Sequence, residues 1–161
     1  MINLPILNNK ECGTCTKCCE GWLSAKIHDQ VLLPNNPCKY IKNNSCSIYD
    51  NRPIKPCRTF NCLWISKNLP EEFKPSVSGV ISIQNIIEKQ SYIFLVNAPK
   101  YPSKELVNWF KINYKNNNLL YFSKEDELMV FGEPNFIKTI MNNKESIYQQ
   151  HNQLKNSYIK D

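Results

Sequence analysis

The sequence predicts an α+β protein in two parts: a loop-rich, cysteine- and metal-bound N-terminal half, packed on a small β-β-α-β-β-α C-terminal half. Three observations predict it. All eight cysteines fall between Cys12 and Cys62. The same stretch holds four of the ten prolines and little apolar periodicity. From residue 77 onward, β-branched and aromatic runs alternate with helical patterns. The expected organisation is a cysteine-cluster metal-binding region over 1–68, a small α+β region integrated with it over 69–150, and a polar tail over 151–161.

The elements follow in chain order. Segment 22–28 fits a short strand or a helical turn, and 60–65 a short helix. Residues 80–83 and 91–96 are strand-like runs, with Glu88-Lys89-Gln90 as the turn between them. Pro99 and Pro102 break the chain, and Tyr101-Pro102 reads as a turn. Ser103 is a candidate N-cap for a helix to about Tyr114, with Leu106, Phe110 and Tyr114 on one face. The asparagine run at 116–118 ends it. Residues 119–122 and 128–131 flank Lys124-Glu125-Asp126-Glu127 and read as a second hairpin. Pro134 suits a first helical position, and Phe136, Ile137, Ile140, Met141, Ile147 and Tyr148 follow at helical spacing. Beyond Tyr148 the chain is polar and is expected to fray.

Composition excludes several classes. At 161 residues, 42% hydrophobic and 21% charged, the chain has the values of one globular domain. No apolar run approaches the roughly 20 residues of a membrane span, so no membrane partner is expected. The first ten residues carry neither the basic region nor the apolar core of a secretory signal. The expected location is therefore cytoplasmic. In a reducing compartment, clustered cysteines read as metal binding or redox chemistry before a disulfide framework.

The formal charge of +6 counts every thiol as neutral. Two four-thiolate zinc sites would bring about −2 each and leave a net charge near +2. The lysines are scattered, with no basic block. Nucleic acid is not an expected partner.

Spacing gives the cysteines their chemistry. Two residues between Cys12 and Cys15 let the backbone turn so that both sulfurs face one metal. With Cys18, the spacing matches three ligands of a ferredoxin-type cluster, although Cys19 follows at once where that run would continue. Neighbouring side chains diverge, so Cys18 goes most easily to the local metal and Cys19 to a second metal or a bridging position. Cys38, Cys46, Cys57 and Cys62 then complete one polynuclear site or two separate ones. Two four-ligand sites account for all eight, and so does one cluster plus one zinc.

The quoted residues are Cys12-Gly13-Thr14-Cys15-Thr16-Lys17-Cys18-Cys19, Pro37-Cys38, Cys46-Ser47-Ile48-Tyr49-Asp50-Asn51-Arg52-Pro53 and Cys57-Arg58-Thr59-Phe60-Asn61-Cys62-Leu63-Trp64. Together they resemble the CxxCxxCC cysteine-cluster family, described as carrying a zinc- or iron-chelating domain. That family includes the flagellin lysine N-methylases and many small bacterial proteins. The match covers residues 12–64, about a third of the chain. Lys74-Pro75-Ser76-Val77-Ser78-Gly79 is loosely similar to the smaller members. The resemblance implies a zinc ion or an iron–sulfur cluster as cofactor, held by the eight cysteines.

Residues around the cluster supply further candidates. Of the 20 basic residues only Arg52 and Arg58 are arginines, and both flank Cys57. A planar five-donor group suits hydrogen bonding to cluster sulfurs or holding an anionic ligand such as a carboxylate, which makes both candidate cofactor-binding residues, and equally the capping of loop carbonyls or pairing with Glu20, Asp29 or Asp50. Tyr49, Phe60 and Trp64 read as an apolar wall, and Trp22 as packing over the first knuckle. His28 reads as a surface histidine before a ligand, and His151 falls in the expected tail. Glu71-Glu72 reads as a solvated turn. No nucleophile–base pair, phosphate loop or metalloprotease motif stands out.

Three functions are carried forward. The first is metal chelation through eight cysteines. The second is an iron–sulfur enzyme dependent on S-adenosylmethionine, motivated by the methylase resemblance, in which an iron with three cysteine ligands binds and reductively cleaves that molecule and an arginine holds its carboxylate. The third is a zinc-stabilised adaptor that recruits a protein partner along strands 91–96 or 119–122.

Overall fold

A computed structural model describes residues 10–114 and 118–158, and the chain is α+β. The N-terminal half is held by short turns. Two small hairpins, β1 (Ala25–Ile27) with β2 (Gln30–Leu32) and β3 (Ile41–Lys42) with β4 (Ser45–Cys46), are each antiparallel. The second turns through Asn43 and Asn44, both at positive φ, which asparagine tolerates better than most residues. Single helical turns lie at Cys18–Trp22, Tyr49–Asn51 and Ile54–Arg58, and α1 spans Leu63–Ser66. Gly21 sits at φ 92°, with the Leu33 backbone so near that a Cβ there would collide with its carbonyl. Glycine thus lets the Cys18–Trp22 turn lie against the end of β2.

A second set of elements begins with α2 (Pro75–Ser78), which starts on a proline and ends on Gly79 in the left-handed region. Strands β5 (Val80–Ile87) and β6 (Gln90–Asn97) form a hairpin whose turn residues, Glu88 and Lys89, both have positive φ. Helix α3 (Lys104–Asn113) is capped by Ser103, whose Oγ accepts from Leu106 N at 3.2 Å. β7 (Leu119–Phe122) then pairs parallel with β6, and β8 (Leu128–Phe131) antiparallel with β7. Helices α4 (Pro134–Asn142) and α5 (Lys144–Tyr158) finish the chain. The asparagines at 116 and 117 lie outside the described residues.

The sheet order is β5-β6-β7-β8. Segments 91–96 and 119–122, which the adaptor reading needs as a free edge, are therefore the two inner strands, paired on both sides. Each has two neighbours, since β6 pairs with β5 as well as β7, and β7 with β8 as well as β6.

Side-chain alternation gives the sheet two packed faces. Ile93, Leu95 and Leu119 pack with Leu106, Val107 and Phe110 of α3. Leu63 and Trp64 of α1, together with Trp22, belong to the same buried cluster, so both halves share one core. On the other face Leu120 packs with Phe136 and Ile140 of α4, and Tyr92, Phe94 and Ile147 lie against them.

Residues 151–158, expected as a frayed tail, are helical. Tyr148, His151, Lys155 and Tyr158 recur at three- and four-residue intervals and so share one face of α5. His151 stacks on Phe122 with ring centroids 3.7 Å apart, and Tyr158 meets Trp22 at 4.8 Å. Leu128 N donates to Tyr148 Oη at 3.0 Å. Asp126, in the β7–β8 turn, accepts from Lys155, from Tyr101 Oη at 2.7 Å and from His151 Nε2 at 3.1 Å.

The Lys155 hydrogen bond, helped by Tyr101 and His151, holds the Asp126 carboxyl below the usual carboxylate range. A depressed folded-state value means the stabilisation is complete above the unfolded value, near pH 4, and is lost as pH falls through the folded one. Acidification below about pH 3 is therefore expected to release α5 first. Asp126→Asn should do the same at pH 7, raising hydrogen exchange in α5 several-fold while β5 and β6 keep their protection.

Candidate metal centre

Each cysteine is delivered by a different local device. Cys15 N donates to Cys12 O at 2.7 Å, closing the first knuckle, with Gly13 at φ 51° inside it. Cys18 and Cys19 begin the next helical turn. Thr16 is buried, its Oγ1 donating to Glu20 Oε1 at 2.7 Å, and Lys17 Nζ donates to Glu20 Oε2 at 2.8 Å. Burial opposes ionisation of Glu20, but these two hydrogen bonds outweigh it and hold the carboxyl low. The base of the turn is thereby fixed.

Cys38 N donates to Cys19 O at 2.8 Å, which ties two distant loops together. Cys46 lies in β4 opposite Ile41, and Ile41 N donates to Cys38 O at 3.1 Å. Cys57 is carried by the turn Ile54–Arg58. Cys62 stands at the start of α1, its carbonyl accepting from Ile65 N and Ser66 N.

All eight side chains line one cavity of about 770 Å³. All are free thiols, with Cys38 and Cys62 buried and the others half-buried. Among the described residues lining the cavity there is no carboxylate, and the histidine, His151, is engaged by Phe122 and Asp126. The donor set is thus wholly thiol, the chemistry that suits zinc and iron centres. The thiols converge without closing into a coordination shell: among the described residues no three donors stand together as a group that could hold an ion.

Burial pushes the Cys18 thiol well above its usual value, and the charges of Cys62, Cys19, Cys15 and Cys12 push it further. Cys19 is pushed up to about 12 by burial, then by Cys38 and Cys46. Cys12, Cys57 and Cys62 are raised by burial and by neighbouring thiols as well. Arg52 opposes this at both Cys12 and Cys57.

The two arginines separate. Arg52 lines the cavity, Nε donating to Tyr49 O at 2.7 Å and its guanidinium lying over the Tyr49 ring at 3.6 Å. Arg58 is exposed and donates to Asp50 O at 2.6 Å, a loop-capping bond; it is not among the cavity-lining residues. Tyr49 and Phe60 contribute to the wall as expected. Trp64 instead lies in the shared core, with Lys10 and Lys74 over its ring. His28 is exposed at the β1–β2 turn, edge-on to Tyr40.

The cavity extends further than the cysteines alone require. It continues along the sheet to Phe94, Val96 and Phe122 and under Leu154 and Tyr158 of α5. Tyr101, His151 and Lys155 stand in this second wall. The three- and four-residue spacing from Tyr148 to Tyr158 was the sequence signal for it, hidden by the polar residues between.

A thiol held neutral must lose its proton when it ligates a metal, so affinity should rise with pH. Zinc titration near pH 7, followed by calorimetry in two buffers of different ionisation heat, is expected to release close to one proton for each thiol that ligates an ion, roughly four for a four-thiolate site. Release of fewer than about two protons per ion would mean that the thiols are not the ligands.

Comparison with protein-family models, with curated proteins and with solved structures finds no match to this chain.

Proposed function

We propose that the chain is a thiolate metal-binding protein that chelates zinc or an iron–sulfur cluster through Cys12, Cys15, Cys18, Cys19, Cys38, Cys46, Cys57 and Cys62. One observation carries the proposal: eight thiols spread over fifty residues line a single cavity. Chance burial of cysteine as a small apolar residue gives no reason for all eight to meet. The loops that carry them have few long elements to hold them rigid, so they can draw in on an ion. Metal coordination would then supply the cross-linking that a larger apolar core provides elsewhere.

Anaerobic purification followed by elemental analysis and an absorption spectrum tests it directly. Expected is either about two zinc ions per chain in a colourless sample, or iron and sulfide with a broad visible absorption. A metal-free protein that keeps all its thiols reactive would overturn the proposal. Cys12→Ser/Cys15→Ser should also raise hydrogen exchange several-fold in the first knuckle, residues 12–18, while the four-stranded sheet keeps its protection.

The breadth of the cavity favours a second reading, an iron–sulfur enzyme that binds S-adenosylmethionine beside the cysteines. The wall residue Asn97 carries a buried side-chain oxygen without a hydrogen-bond partner among the described residues, and Arg52 could receive a carboxylate. Calorimetry on iron-reconstituted, anaerobic protein would then show binding that Arg52→Ala weakens about tenfold, the loss expected for one charge-assisted hydrogen bond. Absence of any binding heat would remove this reading and leave chelation standing.

A further inference from the structure

Building on thiolate metal binding as the function, we propose that the eight cysteines form two mononuclear four-thiolate sites. Cys12, Cys15, Cys18 and Cys62 hold one divalent ion, Cys19, Cys38, Cys46 and Cys57 hold the second, and the Cys18–Cys19 peptide is the boundary between them.

Packing divides the thiols first. Cys18 lies against the large shared core and Cys62 is part of it, with Trp22, Leu63 and Phe60 beside them. Cys19 and Cys57 instead pack on the separate small cluster of Ile27, Leu32 and Cys38. Consecutive residues therefore point into different apolar environments, as adjacent side chains on one turn must.

Backbone ties divide them the same way. The Cys15 N to Cys12 O bond keeps those two thiols in one knuckle. Cys19 O is bound by Cys38 N, and Cys38 O by Ile41 N, the residue paired with Cys46 across the β3–β4 hairpin. That chain of contacts runs from Cys19 through Cys38 to Cys46 without touching the knuckle.

The two sets adjoin: burial raises Cys18, then Cys62 and Cys19 raise it further, and after burial Cys19 is raised by Cys38, Cys46 and then Cys12. Arg52 acts on one thiol of each set, Cys12 and Cys57.

The test compares zinc content in variants with equal numbers of substitutions. Cys15→Ser/Cys62→Ser removes two ligands from one set and should lower zinc from about two ions per chain to about one. Cys15→Ser/Cys38→Ser removes one ligand from each set and should lose nearly all of it. Equal loss in the two variants overturns the partition while leaving metal binding intact; a wild-type chain that holds an iron–sulfur cluster instead of zinc does the same, and one that binds neither overturns both. Should a variant fail to fold, wild-type protein answers the same question. Partial removal of zinc with a chelator, then alkylation and peptide mapping, should expose thiols in two groups of four with the stated membership. Exposure of all eight together, or in other groups, overturns it.

Discussion

Ionising Cys18 or Cys19 is opposed twice, because burial removes water and each neighbouring thiol adds repulsion. A neutral thiol is a small apolar group that packs. That is how Cys38 joins Ile27 and Leu32, and Cys62 joins Leu63 and Trp22. The N-terminal half offers little else. Its hairpins pair only two or three residues per strand, which in isolation would be marginal. Its order therefore depends on what happens at the sulfur atoms.

Rigidity comes from the other half. The four-stranded sheet is packed on both faces, by α3 on one and by α4 on the other. Because Leu63, Trp64 and Trp22 enter the same buried cluster as β5 and β6, the set containing Cys18 and Cys62 is anchored to a firm platform. The set containing Cys19, Cys38 and Cys57 rests on its own smaller cluster and can adjust more freely. The two proposed sites would accordingly differ in how firmly they are anchored.

How much of this was legible in the sequence depends on the range of the interactions involved. The β5–β6 hairpin, the Ser103 cap and the Pro134 helix start rest on local chemistry, and short windows of sequence carry it. The inner position of β6 and β7 was not legible, since a parallel pairing across α3 leaves no local mark. The part of helix α5 beyond Tyr148 was not legible because its docking residues there are a histidine, a lysine and a tyrosine, which read as polar until Phe122, Asp126 and Trp22 are found beneath them. At the site, spacing identified the cysteines and the divergence of Cys18 from Cys19. It could not separate Arg52 from Arg58, because only folding shows which of the two faces the cavity.

The choice of arginine at position 52 completes the electrostatics. A chain so rich in lysine places an arginine where position matters more than charge alone. Stacking on the Tyr49 ring and donation to the Tyr49 carbonyl both need a planar group, and together they fix the guanidinium beside Cys12 and Cys57. A lysine there would be a mobile point charge free to swing into water. Each proposed site would keep a net charge of about −2 after binding a divalent ion. A permanently charged group shared between them lowers the repulsion between two such sites without adding a competing ligand, because a guanidinium has no acceptor to offer a metal.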